Sequence, residues 1–166
     1  MIIFFYYYIM KAIAQIFLSG NQEDYLKLCG YISIVEDENK ITHFTLDLSN
    51  LPPGEKAMHI HEKGDPFKCC DNLGGHYNPF NKNHGDISNK EDRHVGDLGN
   101  ISIDNKGKCF TNFTDNLVRL SGEYSVIGRS FVIHENKDDL GLGNDINSKI
   151  NGNSGKRIAY GIIGIA

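Results

Sequence analysis

Apolar and polar residues alternate with period two along most of this chain, and that pattern restricts it to strands with one buried face. In ITHFTLDL, Thr42, Phe44, Leu46 and Leu48 fall on one side and are expected to face a core; Ile41, His43, Thr45 and Asp47 fall on the other. Ile32 and Ile34 oppose Tyr31, Ser33 and Val35 in the same way. Further strand-like runs are KAIAQIFLS after Met10, Ala57–Glu62, NISID, CFTNFT, Ser130–His134 and Ile158–Ile165. Turn residues at Asp37–Lys40 and Asn105–Gly107 predict two hairpins, the second joining NISID to CFTNFT. No window sustains a 3.6-residue period. Seven or eight short strands in 166 residues predict one all-β domain, an antiparallel Greek-key sandwich of the immunoglobulin-like kind.

Two stretches break the alternation. Residues 63–96 and 135–156 are long, polar and rich in Gly and Asn, and each follows a histidine-bearing strand. Unstructured loops beyond about 15 residues are uncommon in compact domains and tend to be functional. Six of the seven histidines lie between positions 59 and 134, which points to a metal or acid/base site. His59 and His61 share one strand face about 7 Å apart, a geometry that grips a metal rigidly. His76, His84, His94 and Asp97 form a closed set of three imidazoles and one carboxylate, the kind zinc favours in structural sites. His134 ends an apolar strand; with His59, His61 and one more imidazole it would complete an all-nitrogen site suited to Cu(II). Asp138 or Asp139 is positioned to accept the second N–H of a ligating imidazole. His43 reads as a surface residue.

Composition narrows the function classes. With 21 acids against 17 bases the net charge is −4, without the basic stripe of a nucleic-acid binder. Residues 1–10, MIIFFYYYIM, have no base before Lys11 and are too short to span a bilayer. They read as an apolar N-terminal extension, with a degenerate signal peptide as the minority reading, and with a domain over 11–166. Four cysteines are too few and too irregular for a disulfide scaffold and fit a reducing compartment, so a cytoplasmic protein with no membrane attachment is expected. Asn100-Ile101-Ser102 and Asn112-Phe113-Thr114 match the glycosylation pattern, but such tripeptides arise often by chance in a chain with 17 Asn.

MHIHEKGD, GGHYNPFNKNHG, RHVGDLGN, GRSFVIHENKDDLG and GIIGIA, spread in order from about Lys11 to Ala166, resemble the eukaryotic-type copper/zinc superoxide dismutases. The resemblance implies an eight-stranded Greek-key barrel with two long functional loops. It implies copper on His59, His61, His76 and His134, zinc on His76, His84, His94 and Asp97, and one ion of each per chain, bridged by His76. Asp138 would bond one ligand of each metal, His59 and His84. Arg157 would receive superoxide beside the copper, and His76 would donate a proton. A homodimer through Ile162–Ala166 is also implied. The Asn and Ile bias suggests a protist or a large DNA virus, in which case the host cytoplasm or the virion is the expected location.

The chain departs from the family pattern in places. Cys70 matches a loop cysteine of the family disulfide, but its partner position is Tyr160. The family disulfide is therefore expected to be absent, and maturation to be independent of a thiol-dependent copper chaperone. Substitution by Cys29 or Cys109 stays open. Ile146-Asn147 stand where the family often carries two glutamates, with Lys149 and Lys156 near, which predicts a more positive cleft mouth. Lys63 replaces an aromatic that often supports the dimer. Two readings compete with the enzyme: a copper-delivery protein with a dismutase-like domain, and an inactive, zinc-stabilised binding module.

Overall fold

The structure is a computed structural model and describes residues 9–20, 27–67 and 70–166. Most of the predicted extension, residues 1–8, and Cys69 lie outside the described residues. Eight strands build the fold: β1 (Met10–Leu18), β2 (Leu28–Glu36), β3 (Thr42–Leu48), β4 (Gly54–His61), β5 (Asp97–Ile103), β6 (Cys109–Asp115), β7 (Ser130–His134) and β8 (Arg157–Ile162); β7 and the end of β4 are buried on both faces rather than alternating. In β3, Thr42, Phe44, Leu46 and Leu48 are buried and the residues between them exposed. The inward sets meet in one core that includes Ile16, Ile32, Ile34, Phe44, Ile60 and Phe131.

The strands pair antiparallel in the order β5-β4-β7-β8-β1-β2-β3-β6 and curl into a nearly closed barrel. The connections that skip a neighbour, β3 to β6 and β4 to β7, are the Greek-key feature. The first hairpin forms between β2 and β3, with Lys40 in the left-handed region at φ 62°.

The second predicted hairpin does not form as a ladder. The turn is present: Asp104 N donates to Lys108 O at 2.8 Å, and Gly107 N to Asp104 O at 2.9 Å. Beyond it the strands part, β5 to pair with β4 and β6 with β3. They are the two ends of the sheet path, so the turn crosses the barrel's seam. The expected strand Ile158–Ile165 is also divided. Ile163 N donates to Arg129 O and its carbonyl accepts from Gly128 N, which separates β8 from the two-residue β9 (Gly164–Ile165). Among the described residues the long loops carry one 3-10 turn, at Asp71–Leu73, and a short helix, α1 (Ile146–Asn151). Asp145 caps α1 by accepting from Asn147 N and Ser148 N, and Gly152 ends it in the left-handed conformation. Six residues are too few to display a period. Among the described residues no helix is long and apolar enough to cross a membrane.

The first loop is stitched to β4 by main-chain bonds. Ile60 N donates to Gly96 O, Tyr77 N to Ile60 O, and Gly96 N to Tyr77 O, at 2.8, 2.8 and 2.9 Å. The residues beside this knot are His59, His61, His76 and Asp97, so the barrel wall sets their spacing.

Candidate metal centre

Six imidazoles and two carboxylates converge where β4, the start of β5, the end of β7 and the two loops meet. His59, His61, His76, His84, His94, His134, Asp97 and Asp138 are all buried. Ligand-capable atoms of His59, His61, His76 and His134 lie within 4.8 Å of one another, as do those of His59, His76, His84 and Asp97.

Hydrogen bonding assigns each ring a direction. His61 Nδ1 donates to Gly74 O at 2.9 Å, His134 Nδ1 to Gly155 O at 3.2 Å, and His94 Nε2 to Lys82 O at 3.1 Å. His59 Nε2 and His84 Nε2 donate to the two oxygens of Asp138, at 2.8 and 2.7 Å. Asp138 thus joins the two halves of the cluster. It is held in turn by Asn100, whose Oδ1 accepts from Asp138 N at 2.7 Å and whose amide donates to Asp138 O at 3.0 Å. Five imidazoles therefore spend one nitrogen outward and turn the other inward, which is how a ligating histidine is oriented.

His76 differs. Its Nδ1 lies 2.9 Å from Asp97 Oδ1, while its Nε2 is buried with no hydrogen-bond partner. His84 Nδ1 and His94 Nδ1 lie 3.0 and 3.1 Å from the same Asp97 oxygen. Four donors around one centre at a zinc–ligand distance of ~2 Å would be about 3.3 Å apart, close to these spacings. On the other side, His61 Nε2 and His134 Nε2 stand 3.3 Å apart, and His59 Nδ1 is a second orphaned buried nitrogen. Buried polar atoms without partners are rare. Here they face a shared centre, and a metal ion is the partner that fits them.

The electrostatics suit that role. Burial, then the neighbouring His76, holds His59 and His61 well below the ordinary imidazole range and pushes His134 down to about 4. These rings are neutral, the form that binds a metal. Burial alone would raise Asp97, but bonds to His76, His84 and His94 outweigh it and keep the carboxyl ionised. His84 is the exception: burial opposes its protonation, yet Asp138 and Asp97 prevail and push that ring up to about 9, so a metal bound there would have to displace its proton.

Arg157 lines a cleft of about 180 Å³ over His61, His76 and His134, with Ile150, Asn151 and Gly155 on its rim. Its guanidinium donates to Cys70 O and, at 2.5 Å, to Gly74 O. Lys149 does not line this cleft: its ammonium turns back to Gly141 O, so it adds no charge to the cleft lining. His43 is on the outer face and bonds Asp37 at 2.8 Å.

The family description "Copper/zinc superoxide dismutase (SODC)" matches residues 28–163. The chain belongs to the copper/zinc superoxide dismutase family. Its activity is the family's, dismutation of superoxide to dioxygen and hydrogen peroxide, and the donor clusters are consistent with copper and zinc. That favours the enzyme over the copper-delivery and inactive-module readings. Superoxide dismutase [Cu-Zn] 5 of Dictyostelium discoideum is 45% identical over 138 residues, covering 82% of this chain and 90% of that protein. The extracellular superoxide dismutase [Cu-Zn] of Drosophila melanogaster is 42% identical and covers 94% of this chain and 86% of its own length. Its Caenorhabditis elegans namesake is also 42% identical over 94% of this chain and 70% of its own length. Among solved structures, the clock protein EA4 superposes with a TM-score of 0.85 at 36% identity, over 100% of both chains.

These relatives correct the cytoplasmic expectation. The fly and worm dismutases, which match 94% of the chain, are both named extracellular. The expectation leaned on the cysteines, and Cys29 and Cys109 are sealed in the barrel core. Buried thiols report packing, not the redox state of a compartment.

Several site residues were not legible beforehand. Arg93, Asn100 and Asp115 brace the ligands. Gly152 lies against them at φ 63°; a Cβ there would fall 2.0 Å from Asp138 Oδ1 and 2.5 Å from His84 Nε2. The one available signal was Gly152 itself, at the end of a segment capped by Asp145.

Proposed function

We propose that His59 Nδ1, His61 Nε2, His76 Nε2 and His134 Nε2 hold copper and that His76 Nδ1, His84 Nδ1, His94 Nδ1 and Asp97 hold zinc, one ion of each per chain. The observation that carries this is His76, the one ring of the six with a nitrogen turned toward each centre. Bound copper would supply the electron exchange, taking an electron from one superoxide and passing it to the next. Arg157 offers a permanent cation and a planar fork of donors to a small anion in the cleft. His76 Nε2, buried beside the cleft, would be the atom that holds a proton for the reduced product. Asp138 fixes the tautomers of His59 and His84 together, so neither half reorients alone. Metal analysis of two variants tests the assignment. Asp97→Ala is expected to lose zinc more than copper, and His61→Ala copper more than zinc; equal loss of both in both variants overturns separate sites.

Residues 11–166 act as the dismutase domain, and the chain works outside the cytoplasm, as its fly and worm relatives are named to do. Two copies pair through the outer face of β1, β8 and the tail. Ile13, Phe17, Tyr160, Ile162 and Gly164 line an apolar groove of about 450 Å³ there, and Ile165 is 71% exposed beside it. Within Ile162–Ala166, Ile163 belongs to the core and not to this face. Ile13→Asp is expected to yield monomers in sedimentation; an unchanged mass rejects this face. Maturation proceeds without a thiol-dependent chaperone, because Tyr160 leaves no cysteine at that position on β8. The Tyr160 ring packs with Leu73 and Val132, joining loop to barrel by burial. Copper content unchanged between host cells with and without the chaperone supports this; a marked fall without it overturns it.

A further inference from the structure

The two glycosylation tripeptides, which match the same acceptor pattern, are placed differently. The Asn100 side chain is committed on both sides to the Asp138 main chain, beneath the second loop. Asn112 stands exposed on the outer face of β6, opposite Thr45, and Thr114 is exposed on the same face two residues on. A sugar on Asn100 would have to break the support of Asp138. One on Asn112 would meet solvent.

The surroundings of Asn112 give such a sugar a use. β6 ends the sheet path, and its free side faces the seam with β5. That seam is an open cleft of about 560 Å³ lined by Ile87, Leu98, Ile101, Phe110 and Phe113. Phe110 shares the outward face of β6 with Asn112 and is 76% exposed. An apolar side chain on an incompletely paired edge invites pairing with another chain. A bulky hydrophilic group two residues away blocks that approach. β6 lies three strands from β1 and four from β8 around the barrel, so the group would not obstruct the apolar β1/β8 face. No β6 residue lines the cleft beneath Arg157.

We propose that Asn112 is an N-glycosylation site and that its glycan shields Phe110 and the β5/β6 seam; this rests on the extracellular reading above. In the transfer, the Asn112 amide nitrogen forms a C–N bond to the anomeric carbon of a lipid-pyrophosphate-linked oligosaccharide. The C–O bond to the lipid pyrophosphate breaks with its electron pair. The amide gives up one proton, and the lipid pyrophosphate leaves as an anion.

The full chain is expressed in cultured eukaryotic cells, as it stands and behind a heterologous secretory leader, and the product from the medium is weighed with and without peptide-N-glycosidase. The expected result is one glycosidase-sensitive glycan per chain, lost in Asn112→Gln and in Thr114→Ala and kept in Asn100→Gln. Release in heavy-oxygen water should mark residue 112 as labelled aspartate. A secreted chain with the bare polypeptide mass, or with its glycan on Asn100, overturns the proposal. If only the leader-fused chain is exported and it carries the Asn112 glycan, the site stands and the extracellular reading falls. For the shield, Asn112→Gln is expected to aggregate faster on warming, and Phe110→Thr added to it to restore the glycosylated rate. Equal rates with and without the glycan overturn the shielding role.

Discussion

The Arg93 guanidinium and the Asp115 carboxylate form an ion pair from which solvent is almost wholly excluded. Arg93 also donates to Asp97 O at 2.7 Å and His94 O at 3.3 Å, holding the main chain of two proposed zinc ligands. Asp115 Oδ1 accepts from Leu117 N and Val118 N, at 2.7 Å each, at the end of β6. The pair therefore ties the ligand-bearing loop to the barrel wall.

Arg93→Met strands a buried carboxylate, which costs about 3–5 kcal/mol in such pairs. The expected outcome is a lower urea midpoint together with faster zinc release to a chelator. Arg93→Met with Asp115→Leu should recover much of the midpoint, since replacing both charges removes the stranded one. A midpoint unchanged in the single variant would refute the tie.

Arg157→Ala should lower the dismutation rate by roughly 10- to 100-fold, the range for losing a charged hydrogen bond to an anion, and should flatten its dependence on salt. Arg157→Lys keeps the charge and should keep the salt dependence while losing the two bonds to Cys70 O and Gly74 O. Copper and zinc contents, read by elemental analysis, are expected to stay as in the parent. An undiminished rate at low salt in Arg157→Ala would assign substrate guidance elsewhere.

Gly152→Ala should destabilise by more than about 1 kcal/mol, because the new Cβ has both a left-handed φ and no room. Its nearest neighbour would be Asp138 Oδ1 at 2.0 Å, so the damage should reach both halves of the centre. Denaturant melts and metal content would show it; normal loading of both metals would mean that the loop shifts without cost.

Burial pushes the Cys29 thiol up to about 11, against an ordinary 9.0, with Lys27 acting weakly the other way. The folded chain holds this proton more tightly than the unfolded chain. Its contribution to stability is thus fully present below pH 9 and is lost as pH rises through 11. Native protein should resist alkylation at Cys29 at pH 8, and Cys29→Ala should show a smaller fall in urea midpoint between pH 8.5 and pH 10.5 than the parent (roughly the window set by the two values). Rapid labelling of Cys29 in the native state would contradict its burial.

Much of the barrel was readable because alternation is a local property. Thr42–Leu48 and Ser130–His134 have the strand character their side chains predict. The β5/β6 pairing was not readable, because a good turn says only that two segments reverse direction. Which strand each then bonds is decided by how the inward faces fill the core, and β5 and β6 are drawn to β4 and β3. The short α1 escaped for want of length. The brace at Arg93 escaped because an arginine next to a polar loop looks like a surface residue.

By itself the sequence determined the donor types and their order along the chain: two imidazoles on one strand, three and a carboxylate around a loop, one at the end of an apolar strand. Side-chain chemistry and strand period are settled within a few residues. The tertiary structure decided which nitrogen of each ring faces inward, and that His76 turns one to each side. It also separated Asn112 from Asn100, identical as motifs. These are choices among hydrogen-bond partners far apart in the chain, such as His59 and Asp138 at a separation of 79 residues. Such partners meet only after the barrel has closed and water has left, when an unpaired polar atom becomes costly enough to select one arrangement.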